Sequence, residues 1–83
     1  MGREFRWNDW NREHATRHGV SIQEAEALVR CGPARHLGDN RYLVRGRGRG
    51  GRFIQVAYLA ETQTFYIIHA RPLTEQEKHQ ERS

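Results

Sequence analysis

Three runs rich in β-branched and aromatic residues, at positions 41–45, 53–59 and 65–70, follow one another closely in the second half of the chain. Each has the length and composition of a strand. The glycine-rich stretch from Gly46 to Gly51 and the stretch from Glu61 to Thr64 join them. Connections this short cannot carry the crossover that parallel neighbours need, so the three runs are expected to pair as an antiparallel meander.

The first half reads as helical. Residues 4–7 alternate polar and apolar side chains and suit a short opening strand. Asn8 or Asp9 can cap the helix that follows, expected over residues 9–18, because a short polar side chain accepts from the free N–H groups of a first turn. Gly19 then fits the left-handed residue after its end. Ser21 and Glu24 have the spacing of a capping box and open a second helix, 21–31. Ile22, Ala25, Leu28 and Val29 give that helix an apolar stripe, and Gly32-Pro33 stops it. Residues 34–40 read as a loop. Thr74 and Glu77 form another capping box, starting a polar terminal helix that frays beyond Gln80.

These elements predict an α+β fold, in the order β-α-α-β-β-β-α. Its four-stranded, largely antiparallel sheet carries the two N-terminal helices on one face and is followed by one C-terminal helix. Ile22, Ala25, Val29, Ile54, Val56, Ile67 and Ile68 are the expected core. An 83-residue chain has room for one domain, taken as residues 1–83.

Cys31 is the only cysteine, so the fold is expected to hold by packing, without an internal disulfide. The opening residues Met1 to Trp7 contain no apolar run like that of a signal peptide. No stretch approaches the ~20 apolar residues of a membrane span. A cytoplasmic location and no membrane association are the expectation. The net charge of +4 is concentrated: residues 35–52 carry six arginines against Asp39 alone. Such a segment is the footprint of a site for a polyanion or an acidic partner. Arg45, Arg47, Arg49 and Arg52 are the residues expected to grip RNA phosphates there. The competing reading of Gly46 to Gly51 is a plain hairpin tip, since it lacks the Lys and Ser/Thr of a phosphate-binding P-loop.

The first helix has only Trp10 and Ala15 as apolar residues between positions 9 and 18. Asn11, His14 and His18 fall at helical spacing and form a polar stripe. His14 and His18 also have the spacing of a two-histidine metal pair, but no third ligand is evident, so neither metal nor cofactor is expected. A structural role competes with proton handling at a ribose hydroxyl, which imidazole suits because it titrates near neutrality. His69-Ala70-Arg71 ends the last strand just before the terminal helix. An Arg at that place lies near free helical N–H groups, a combination suited to a phosphate. The alternative is an Arg paired with Glu75 or Glu77, and the capping box alone accounts for Glu77.

In order and spacing these pieces resemble a family. Trp7, Asn11, His14 and the run Arg17-His18-Gly19-Val20, followed by the Ser21/Glu24 helix start, resemble the N-terminal signature of BrnT-like toxins. Arg41 to Val44 with Gly46, then Gly51-Arg52, continue the likeness. Ala70-Arg71 followed by Leu73-Thr74 and Glu77-Lys78 complete it, over nearly the whole chain. Better-known members carry Asp at Asn8, Lys at Arg17, and Ser or Thr at His69. The resemblance implies a RelE-like ribonuclease fold and metal-independent RNA cleavage that stalls translation, the activity of a type II toxin. It also implies a ribbon-helix-helix antitoxin that binds the toxin and represses the operon, with any homo-oligomer formed through that complex. By position it assigns the family's functional histidine, arginine and glutamate to His18, Arg71 and Glu77, and His14 joins them as a catalytic candidate. A catalytically inactive module that binds RNA or protein, or an unrelated small structural subunit, are the alternatives.

Overall fold

The computed structural model describes residues 4–48 and 51–82. It is an α+β fold built as β1 (Glu4–Phe5), α1 (Asp9–Thr16), α2 (Ile22–Cys31), β2 (Ala34–Gly38), β3 (Arg41–Arg47), β4 (Phe53–Ala60), β5 (Thr64–Pro72) and α3 (Glu75–Arg82). The sheet has five strands in the order β1-β5-β4-β3-β2.

The meander from β3 through β5 is antiparallel, as its short connections require. Two features differ from the sequence expectation. Residues 34–38 form a strand instead of a loop, paired antiparallel with β3. Gly38 and Asp39 have φ of 129° and 48°, the left-handed geometry of a tight hairpin turn, which Gly and Asp tolerate. β2 lies at the sheet edge with Ala34 to Leu37 all exposed, so no apolar alternation marked it. The sheet is also mixed, because β1 spans only two residues and pairs with β5 in parallel.

The helix starts follow their capping residues. Ser21 and Glu24 exchange side-chain and backbone bonds at 3.1 Å, and Thr74 and Glu77 do the same at 2.9 and 3.2 Å. Gly19, at φ 83°, ends the turn after α1. α1 stops at Thr16, leaving His18 beyond the helix.

α2 covers one face of the sheet, where Ala25, Leu28 and Val29 join Val44, Ile54, Val56 and Ile67 in the core. Gly46 makes this contact possible: a Cβ there would lie 2.7 Å from Leu28 Cδ1. Ile22 and Ile68 are only half-buried. A register shift in the β4–β5 pairing leaves Ile68 unpaired beside Ile67, so only Ile67 points fully inward. No helix among the described residues is long and apolar enough to cross a membrane.

Asn11 takes a place that its polarity did not suggest. It is fully buried; its Oδ1 accepts from Asn8 N–H at 2.7 Å and its Nδ2 donates to Arg6 C=O at 3.0 Å. It is therefore the reciprocal half of the α1 capping box and ties β1 to the helix. Asn11→Ala leaves both backbone groups without that partner, and unfolding in urea should show a loss of about 2–3 kcal/mol. A loss below ~0.5 kcal/mol would mean that water replaces the side chain at no cost.

Candidate active site

Alternation along β5 places His69 and Arg71 on the sheet face opposite Ala70 and the core. Across the register, Arg71 stands beside Gln55 of β4, and Gln55 beside Arg45 of β3. These three side chains form a row on the face away from α2, and α3 lies over it through its charged side chains. Arg71 donates to Glu77 through both terminal nitrogens, at 2.8 and 2.7 Å. Arg45 donates to Gln55 at 2.9 Å, to Glu77 at 3.2 Å, and to Gln80 and Glu81 at 3.3 and 3.5 Å.

One carboxylate is thus shared by two guanidinium groups. The Arg71 hydrogen bonds, helped by Thr74 N–H, push the Glu77 pKa down to about 2, and Glu77 in turn raises that of Arg71. Glu77 is ionised at any physiological pH and has no proton to donate. Among the sequence alternatives for Arg71, pairing with Glu77 is present in the structure. Arg71 also donates to Pro72 C=O at 3.1 Å, and its side chain keeps 29% exposure.

α1 packs along β5 and brings the histidines to this row. His18, in the turn that ends α1, meets His69 edge to face with ring centroids 5.8 Å apart. His69 is half-buried. Its pKa is lowered first by desolvation and then by the nearby Arg71, His18 and His14, so the neutral imidazole is favoured. His14 lies one helical turn back, its Nδ1 2.7 Å from Trp10 C=O and its ring stacked on the Trp10 indole at 3.9 Å. A carbonyl only accepts, so Nδ1 carries the proton and Nε2 faces away from that bond. The polar stripe therefore divides: Asn11 is structural, while His14 and His18 line the site. No group of three or more His, Cys, Asp or Glu among the described residues is arranged to hold a metal ion.

Of the arginines expected to hold RNA, Arg45 and Arg47 stand two residues apart on one face of β3, whereas Arg52 turns to the loop after α1. Arg45 is committed to α3 and Gln55, with its side chain 18% exposed. Arg47 packs over the Phe53 ring at 4.8 Å and donates to Gly51 C=O at 3.4 Å. Arg49 lies outside the described residues. Arg52 donates to Gly19 C=O and to Glu24 at 3.5 Å, bracing the turn that carries His18.

The sequence names His69 only as a neighbour of Arg71 and Trp10 only as one of two apolar residues of the first helix, and assigns neither a role in a site. The i, i+2 relation of His69 to Arg71 on a strand was the available signal for the first. Trp10 gave none, because an isolated aromatic on a polar helix has many explanations. The chain matches no protein-family model, and no curated protein or solved structure matches it either.

Proposed function

We propose that the chain is a metal-independent RNA endonuclease of the BrnT-like, RelE-like kind, cleaving through attack of a ribose 2′-OH on the adjacent phosphorus. The observation that carries this reading is the His18–His69 pair beside Arg71 on one sheet face. Proton transfer and charge stabilisation are the two things the reaction requires, and both kinds of group are present. His69, kept neutral by its surroundings, takes the 2′-OH proton. His18 returns a proton to the leaving 5′ oxygen, and Arg71 offsets charge growing on the phosphoryl oxygens. The 2′ oxygen–phosphorus bond forms as the 5′ bond breaks, leaving a cyclic phosphate and a 5′-hydroxyl. Glu77 orients Arg71 and Arg45, and His14 lines the approach.

In this reading the protein acts in the cytoplasm as a toxin that inhibits translation. A ribbon-helix-helix antitoxin is its partner, and any homo-oligomer forms through that complex. The test is incubation of single-stranded RNA with the purified protein, with and without ribosomes, in excess EDTA. Cyclic-phosphate ends on the products support the reading; no cleavage under either condition defeats it. One observation favours the second reading, an inactive module that binds RNA or protein: Glu77 already neutralises Arg71, the cation beside His69. RNA retained on the protein without any cleavage would select that alternative.

A further inference from the structure

Trp10 is a large apolar residue that the fold does not use. Its exposure is 52%, although α1 buries Asn11 and Ala15 almost completely. A single exposed apolar side chain is ordinary, but this one is held. The indole lies against the His14 ring with centroids 3.9 Å apart and planes 20° apart. The bond between His14 Nδ1 and Trp10 C=O fixes that imidazole in turn. One face of the indole is thus occupied, and the exposed area belongs to the other face and the ring edge.

The surroundings say what such a ring can receive. Trp10 and His14 are one helical turn apart on the same side of α1, and His18 continues the line in the turn after it. His18 meets His69, and Arg71 follows His69 by two residues on the same strand face. A row of two stacked rings thus runs into a histidine pair and a partly exposed arginine. A planar, aromatic group attached to an anion fits it, and a nucleotide is such a group. A base in a duplex has both faces covered, whereas an unpaired base offers one.

We propose that the open face of Trp10 is a stacking platform for an unpaired nucleobase of single-stranded RNA, next to a phosphate held at His18, His69 and Arg71. The proposal rests on the ribonuclease reading of that site and adds the residue that receives a base beside it. Because every base has a π face, the platform selects single strands over duplexes with little preference for sequence.

The experiment uses the full chain and a short 2′-O-methylated RNA, which cannot undergo 2′-OH attack, as a single strand and as a duplex. Binding is followed by anisotropy of a labelled strand and by tryptophan emission. The single strand should bind more tightly than the duplex and quench the emission. Trp10→Ala should bind the single strand about 5- to 150-fold more weakly, the range for loss of one base–aromatic stack. Trp10→Phe should keep most of the affinity and lose the quench. Trp10→Leu, which keeps an apolar side chain without a π face, should behave like Ala; circular dichroism confirms that each variant is folded. The platform is refuted if Trp10→Ala and Trp10→Leu bind as tightly as wild type, or if duplex and single strand bind equally. Loss of a protein partner by Trp10→Ala with RNA affinity unchanged refutes it too, in favour of a protein-docking role. Wild type that binds neither RNA removes the ribonuclease reading and the platform together, whereas binding insensitive to Trp10 removes the platform alone.

Discussion

If the proposed ribonuclease reaction is right, Arg71→Ala should lower single-stranded RNA cleavage by ~10²–10³-fold, the usual effect of removing one positioned donor from a developing oxyanion. The side chain lies on the face away from the core, and its described partners are Glu77 and Pro72 C=O. Its loss should therefore leave the cooperative unfolding of the sheet in place. Arg45 still reaches Glu77 in this variant, which keeps a cation near α3 but not beside His69. Arg71→Lys restores the charge without the planar fork and should recover only part of the rate. Single-turnover rates with folded protein make the comparison. Cleavage by Arg71→Ala at the wild-type rate would mean that the phosphate sits elsewhere.

His69→Ala is the second large expected effect, a fall of ~10²–10⁴-fold if His69 takes the ribose proton as proposed. The pH profile carries more information than the rate alone. Desolvation and the nearby Arg71, His18 and His14 all disfavour the imidazolium, so His69 loses its proton below the ordinary imidazole value of 6.5. The base is active when neutral; the acid limb of the wild-type profile should therefore lie below pH 6.5 and activity should fall as pH drops through it. Arg71→Gln removes one of the nearby charges, and the His69 pKa should move upward, as read by NMR of the imidazole Cε1–H. A His69→Ala enzyme that keeps the same acid limb would assign that limb, and the base, to another residue.

The sequence disclosed what is local. Ser21 with Glu24 and Thr74 with Glu77 each mark a helix start through neighbours three residues apart, and both are found where expected. Gly19 takes its left-handed φ although α1 ends at Thr16, before the expected residue 18. The β3–β5 meander was legible for the same reason, since its pairing follows from short connections. What escaped depends on distant packing. β2 has no buried face to write a pattern, and β1 is too short to show its direction. Asn11 looked like part of a functional stripe because helical spacing cannot say which polar residue will cap a backbone and which will face a cleft. In the site, Arg71, His18 and Glu77 were legible as residue types near element ends. Pairing of Arg71 with Glu77 was among the alternatives, but the sharing of that carboxylate with Arg45 was not legible, because β3 meets α3 only in three dimensions.

The parallel β1–β5 pairing also bears on the order in which the chain assembles. Phe5 faces Phe65, 60 positions later, with ring centroids 5.6 Å apart, and Arg30 covers the Phe5 ring at 4.8 Å. The hairpins of the meander join partners much closer along the chain, so their closure costs less entropy. Barrier crossing should therefore involve β3, β4 and β5 already paired, with β1 docking on the downhill side. In stopped-flow experiments Phe5→Ala should then accelerate unfolding with little change in the refolding rate, a φ-value near zero. Val56→Ala, in the centre of the meander, should slow refolding instead. A φ-value near one at Phe5 would reverse that order and place the joining of the two distant segments at the nucleus.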